Sequence, residues 1–401
     1  MSVTVHDLDL PEVDVVDLDR QRALGALQEV QRQHWLARTP MGYAVTRHED
    51  ATAILRERRF HSGLSMLGEL SGLPESDFLS RRRESILAME GEPHSRLRRL
   101  VASAFTPRAA DRLRPFIREV INGLVDDVAP RGRCDVVSDI CEPYPIPIIC
   151  ELLGAPKEDW KLFSRWATDI FRIFNNDLAH DLPMIEAASA ELDSYVAAMI
   201  EQRRTSPADD LLSALIAAEE AGDRLTSDEL VMMAEAVLMA GTDTTRNQLA
   251  CSVALLVERP DQWRLLSERP ELAPRAVEET MRYLGAVRGT LRFASEDIEY
   301  RGVVFPKGTL VSVALAAANR DPGVFADPDR LDITRESKAP QMTFGSGVHY
   351  CLGASLARAE LQEALPVLAS RLPDARFDGA VEWKPDTFGI WGPSRLPVAF
   401  G

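Results

Sequence analysis

One cysteine near the C-terminal end stands where side-chain types and spacing could do chemistry. Cys351 closes the run Phe344-Gly345-Ser346-Gly347-Val348-His349-Tyr350-Cys351-Leu352-Gly353, and Ala354-Ser355-Leu356-Ala357-Arg358 follows directly. Two glycines and a serine make a tight loop that can take positive φ and approach a flat ligand closely. Leu352, Leu356, Leu361 and Leu365 have amphipathic spacing, so a helix is expected from Leu352 to Leu365. Cys351 would then sit at a helix N-terminus, where free N–H groups and the helix dipole favour a thiolate. Such a thiolate suits an iron ligand, and thiolate ligation pushes electron density toward O–O cleavage. The plainer alternative for a lone cysteine is a small buried hydrophobe.

Two further clusters carry chemical groups. Ala240-Gly241-Thr242-Asp243-Thr244-Thr245 lies midway along an expected long helix, where Gly, Asp and three threonines are unfavourable by propensity. Local rules tend to be broken at functional sites. Thr244 could simply bond back to the carbonyl of Ala240. Alternatively, Gly241 leaves room for a diatomic ligand while Asp243 and Thr244 handle protons. Met233, Val237, Ala240 and Gly241 share the Thr244 face by helical spacing and would give a pocket an apolar floor. In Gly91-Glu92-Pro93-His94-Ser95-Arg96-Leu97-Arg98, His94 and Arg98 fall at i and i+4 on one helical face. That pair repels unless something anionic lies between.

The cysteine loop, read as Phe-Gly-x-Gly-x-His-x-Cys-x-Gly-x-x-Leu-Ala-Arg, resembles the haem-binding signature of the cytochrome P-450 monooxygenases at every fixed position. Ala240 to Thr245 resembles the same family's oxygen-activation motif. The resemblance runs from about residue 40 to the C-terminus. It implies a mostly α fold with a small β-rich lobe (α+β), the family's triangular helical prism enclosing one haem b. It implies Cys351 as axial iron ligand, His94, Arg98, Arg292 and His349 as propionate anchors, and Asp243 and Thr244 as the proton-delivering pair. Val287 and Ile390 join Met233, Val237, Ala240 and Gly241 as pocket candidates, Ile390 from a C-terminal turn, Phe388 to Pro393, expected to enter the pocket. Glu279 and Arg282 match the family's Glu-x-x-Arg, with Arg330 as the expected third, locking member. Ala286 stands in place of a usual proline, and Arg288-Gly289 puts a cation on the expected pocket wall. Arg288 either faces the cavity, meeting a propionate or a substrate acceptor, or faces outward.

The implied activity is O₂-dependent hydroxylation or epoxidation of a small, mainly hydrophobic substrate. Electrons would come from a separate ferredoxin or flavodoxin with its NAD(P)H reductase, since no flavin domain is expected after the haem region. Arg96, Arg99, Arg108 and Arg112 form a basic cluster suited to an acidic donor. A haem-thiolate peroxygenase, or a haem-binding sensor or carrier, is the alternative. Neither needs the Asp243–Thr244 pair.

The elements that must position these groups are mainly helices. Thr226-Ser227-Asp228-Glu229 is a capping box opening a helix that runs to Glu258, before Pro260. His48 to Arg58 reads as a helix, and so does Tyr144 to Gly154. Gly42 to Thr46 reads as a short strand. Glu299-Tyr300, Val303 to Phe305 and Thr309 to Val311 read as a hairpin turning at Pro306 to Gly308. Phe60 to Ser71 reads as a loop with apolar side chains, and Trp160 to Phe174 as an aromatic stripe before Asn175-Asn176-Asp177. In the resembled family both lie over the pocket. Residues 1–18 are expected to form an irregular acidic arm, and residues 1–401 one unit.

The formal net charge of −16 argues against a nucleic-acid partner. No apolar run reaches transmembrane length and no leader pattern opens the chain. Five cysteines without a C-x-x-C pair read as reduced thiols. A cytoplasmic monomer without a membrane anchor is expected.

Overall fold

The computed structural model describes residues 3–15, 19–175, 177–220, 225–385 and 389–401. Met1, Ser2, residues 16–18 of the arm, Asn176 and Phe388 lie outside them.

The helix Ser227–Val257 is the axis of the larger core. Its start is the expected capping box: the Thr226 hydroxyl accepts from the Glu229 N–H at 3.1 Å, and the Glu229 carboxylate accepts from the Thr226 N–H at 2.9 Å. It is wrapped by the helices Pro145–Leu153, Trp160–Ile170, Leu178–Thr205 and Ala354–Arg371. From Leu249 to Val257 every residue is buried, as enclosure on all sides requires. The helix Pro107–Val128, capped by Thr106 with proline at its first position, lays Ile117, Ile121 and Val125 against Ala354–Arg371.

The smaller core belongs to a five-stranded sheet ordered Leu36–Thr39, Gly42–Val45, Leu310–Val313, Thr290–Ala294 and Phe60–Ser62. Gly42–Val45 runs parallel to Leu310–Val313, and the other neighbours are antiparallel. Leu36, Tyr43, Val45, Phe60, Phe305 and Val311 pack beneath it. Helices with a minor β portion agree with the expected fold class.

Several elements differ from expectation. The hairpin is Ile298–Tyr300 with Val303–Phe305, turning at Arg301 and Gly302, both with positive φ. Leu310–Val313 instead crosses to the five-stranded sheet. The stretch is rich in β-branched and apolar residues, and such a pattern marks strands without naming their partners. Phe60 to Ser71 is a strand Phe60–Ser62, a 3₁₀ turn Gly63–Met66 and one helical turn Leu67–Leu70. The arm is not wholly irregular, since Val3–Thr4 pairs in parallel with Val303–Val304.

The buried Glu-x-x-Arg pair has a different third member. Arg282 Nε and Nη2 donate to the Glu279 carboxylate at 2.8 and 2.9 Å. The third partner is Arg335, with Nε at 3.1 Å, whereas the Arg330 side chain is 70% exposed beside Asp332. Arg330 contributes only its carbonyl, which accepts from Arg282 and Arg335.

Candidate active site

The cysteine loop is held by its own backbone and by two neighbours. The Cys351 N–H donates to Phe344 O at 2.9 Å, and the Tyr350 N–H to Gly347 O at 3.1 Å. Upstream, Met342 N–H donates to Asn319 Oδ1 at 2.6 Å, and Thr343 Oγ1 to Met281 O at 3.0 Å. Gly347 has φ 72°, and any Cβ there would strike the carbonyl of Leu55, so glycine is required twice over. Arg358 lies 4.4 Å over the Phe344 ring and donates to Glu278 at 2.6 Å.

The following helix starts at Ala354, two residues later than expected, with Gly353 as its cap residue. Cys351 therefore precedes the helix. Burial pushes its thiol up; the Gly353 N–H and the cations Arg98 and Arg358 pull the other way without overcoming it.

Four expected anchors gather on one side of this loop. The His94 and His349 ring centroids are 4.6 Å apart, and Arg98 Nη2 donates to the Tyr350 carbonyl at 2.6 Å. Arg292 lies in register opposite Ser62 and is buried, its Nη1 donating to Thr290 Oγ1 and the Leu291 carbonyl, both at 2.9 Å. Burial pushes His94 down to about 4, with His349 and Arg98 adding to the effect. Burial likewise pushes Arg292 down to about 10. An acid unnoticed in the sequence joins them. Glu90 Oε1 is 2.9 Å from His349 Nε2 and accepts from the Ser62 N–H at 2.7 Å. Burial pushes the Glu90 carboxyl up, but its bond to His349 and the Ser62 N–H win, and its net direction is down. His349 Nε2 is thus engaged by a protein carboxylate.

Opposite expectations meet in the middle of the long helix. Ala240 is exposed and Thr244 partly so, although the helix around them is largely buried, which means that this segment fronts an open cleft. Thr244 Oγ1 donates to the Ala240 carbonyl at 2.7 Å, the local bond the sequence allowed. A Cβ at Gly241 would collide with Ile149, so the glycine lets the Pro145–Leu153 helix come close. Asp243 is 3% exposed and lies behind the cleft surface. Arg246 Nε donates to its Oδ1 at 2.6 Å, while the other Arg246 nitrogens reach Ser164 and Thr168 of the Trp160–Ile170 helix. The i,i+3 spacing of Asp243 and Arg246 was the available signal.

Of the pocket candidates, Met233 and Val237 are buried in the larger core. Val287 and Ile390 are brought together by an antiparallel bridge. The Arg288 guanidinium lies 5.4 Å over the Trp391 ring, which stacks on Trp383 at 4.5 Å, so an aromatic face is its neighbour. A large apolar side chain missed by pattern is Leu87, 49% exposed, whose carbonyl accepts from Ser62 Oγ beside Arg292. In the basic cluster, Arg96 is paired with the capping Glu229 and Arg99 with Glu92, while Arg108 and Arg112 are exposed.

A lone cysteine on a glycine loop, a cationic cradle beside it and a helix whose middle fronts a cleft define a haem-thiolate class of oxygenase. The comparisons agree. The family model "Cytochrome P450" matches residues 68–371. A luteothin monooxygenase of Streptomyces thioluteus is 38% identical over 408 aligned residues, covering all of both chains. A mycinamicin IV hydroxylase/epoxidase of Micromonospora griseorubida is 40% identical over 97% of this chain and 98% of its own length. The crystal structure of CalO2 superposes with a TM-score of 0.91 at 32% identity, covering 98% of this chain and 99% of that one. The chain belongs to the cytochrome P-450 family and is a monooxygenase.

Family membership implies haem, and the residues fit it. Among the described residues, His94 Nε2 is buried without a hydrogen-bond partner, and Arg292 is a buried cation whose donor contacts are neutral oxygens. Both invite anionic acceptors at the edge of a flat group. Among the described residues no helix is long and apolar enough to cross a membrane.

Proposed function

We propose that this monooxygenase hydroxylates or epoxidises a small, mainly apolar organic molecule, using electrons from a separate ferredoxin or flavodoxin and its NAD(P)H reductase. The observation that carries the reading is the joining of the cysteine loop to the opened segment of the long helix. Thr245 Oγ1 donates to Glu360 Oε2 at 3.1 Å, tying that segment to the helix that follows Cys351.

Cys351 would hold haem b iron, with His94, Arg98 and Arg292 on its propionates and His349 set in place by Glu90. Bound there, the haem supplies reduction and cleavage of O₂ and transfer of one oxygen atom, the other leaving as water. Ala240, with Val287 and Ile390 as further wall candidates, would give the cleft apolar walls that desolvate a hydrocarbon substrate and exclude water from it. Thr244 Oγ1 stands at the cleft surface, able to exchange its bond to Ala240 O for one toward the reacting oxygen. Asp243, next along the helix, holds the proton supply behind it. Exposed Arg108 and Arg112 lie on the helix packed against Ala354–Arg371 and suit an acidic electron donor. The relatives named for luteothin and mycinamicin IV support a preformed organic compound as substrate.

The test is spectroscopic. Reduced wild type with CO should show the red-shifted Soret band of thiolate-bound haem, and Cys351→His should lose it. A band unchanged in the variant removes the central assignment.

A further inference from the structure

Asp243 has two cationic neighbours of different kinds. Arg246 is almost sealed from solvent and held by Asp243, Ser164 and Thr168, and a guanidinium does not release a proton in proteins. The other is Lys384, at the end of the two-stranded ribbon Glu382–Trp383 with Pro393–Arg395. Its Nζ is 3.8 Å from Asp243 Oδ1 and its side chain is 31% exposed against 3% for Asp243, so solvent reaches this partner of the buried carboxylate. Its backbone is fixed on both sides. The Lys384 N–H donates to Gly392 O at 3.0 Å, and its carbonyl accepts from Trp391 Nε1 at 2.9 Å. The Trp391 carbonyl in turn accepts the Cys251 thiol of the long helix at 3.7 Å. The lysine is thereby registered against the helix that carries the acid.

We propose that Lys384 is a positioning residue for Asp243, holding its carboxylate jointly with Arg246 and returning to it, from solvent, each proton the acid passes forward. The step moves a proton alone. The Nζ–H bond breaks, an Oδ–H bond forms, and water restores the ammonium. Among the described residues the charged and titratable groups facing Lys384 are Asp243 and Arg246, Glu142, and the Cys251 thiol. Burial pushes the ammonium down, Asp243 opposes this, Arg246 adds to it, and Glu142 and Cys251 oppose it. The net direction is down, toward easier proton release. The inference rests on Asp243 and Thr244 being the proton-delivery pair.

The experiment follows oxygen consumption by the full-length, haem-loaded protein with a plant-type ferredoxin, its reductase and NADPH, from pH 6 to 9 in H₂O and D₂O. No substrate is needed, since reducing O₂ to peroxide takes up two electrons and two protons. Lys384→Met should slow consumption about tenfold at pH 9 and enlarge the solvent isotope effect, with an unaltered CO band. Lys384→Arg, which keeps charge without a releasable proton, should repeat the isotope effect. Wild-type behaviour of Lys384→Met overturns the proposal, and full rescue by Lys384→Arg overturns the relay. Should Asp243→Asn itself match wild type, the acid's role fails and the inference falls with it. A second readout needs no turnover: the ¹⁵N resonance of Lys384 Nζ should titrate at lower pH in Asp243→Asn. An unmoved midpoint means that the two groups are uncoupled, which also overturns the proposal.

Discussion

Arg335→Ala should be far more damaging than Arg330→Ala, although the two residues are five apart in one irregular segment. Glu279 is 2% exposed and has two guanidinium partners. Arg335 also donates to the carbonyls of Ala326, Asp327 and Arg330 at 2.6, 3.1 and 2.8 Å. Its loss leaves a buried carboxylate half-compensated and three carbonyls short of a donor. Breaking a buried pair from one side costs about 3–5 kcal/mol, against roughly 0–1 kcal/mol for an exposed pair such as Arg330–Asp332. With an unfolding entropy of about 2.1 cal/mol/K per residue, about 4 kcal/mol lowers the Tm of so long a chain by about 5 °C, and Arg330→Ala by about 1 °C at most. Thermal unfolding followed by circular dichroism, with Arg335→Lys as the variant that keeps charge but loses the planar fork, reads this directly. Arg330→Ala matching Arg335→Ala would refute the assignment of the lock.

Three other outcomes are expected. Burial pushes Glu360 up to about 8; because this lies above its unfolded value, the stability it gives is whole below about pH 4.5 and lost as pH rises toward 8, at about 1.4 kcal/mol per unit. Glu360→Gln should flatten that slope in denaturant titrations at successive pH values, and parallel slopes would count against it. Arg112→Glu should slow reduction by a ferredoxin but not by a small neutral reductant, whereas Arg96→Gln, its wild-type side chain paired with Glu229, should weaken the capping box more than donor docking. Thr244→Ala should keep haem and ligand binding while diverting electrons to peroxide, and an unchanged product yield per NAD(P)H would remove its assigned role.

What the sequence made legible was whatever fixed spacing encodes. The cysteine loop, the capping box at Thr226 and Glu229 and the i,i+4 pair His94 and Arg98 are short-range patterns, and each appears where it was read. Long-range partners were not legible. Glu90 and His349 are 259 positions apart, and nothing local marks either as the other's acceptor or donor. Arg335 was missed because it lies in irregular chain, where no period relates residue number to direction. The packing role of Gly241 was hidden for a related reason. Helical spacing places a glycine on a face, but only the neighbouring helix, through Ile149, reveals what the missing side chain makes room for.

The same helix explains why the acid and the alcohol can be neighbours in sequence and yet occupy different surroundings. Successive positions on a helix diverge by about 100°, so Asp243 and Thr244 fall on either side of the boundary between core and cleft. Three threonines in four positions divide in the same way. Thr242 bonds back to Leu238 O inside the core, Thr244 to Ala240 O at the cleft, and Thr245 reaches across to Glu360. Each hydroxyl is satisfied, so none imposes an unpaired polar group on the core. The carboxylate of Asp243 is likewise satisfied, but by charge, with Arg246 braced on the Trp160–Ile170 helix and Lys384 on the C-terminal ribbon. The Trp160–Ile170 helix runs directly into the 3₁₀ turn Phe171–Phe174, whose Phe174 packs, as do Leu67, Leu73 and Phe78, against the small core of Ile173, Leu178 and Ile185. The unfavourable residues in the middle of the long helix are thus set against three elements at once: the Trp160–Ile170 helix, the C-terminal ribbon and the helix that carries Glu360.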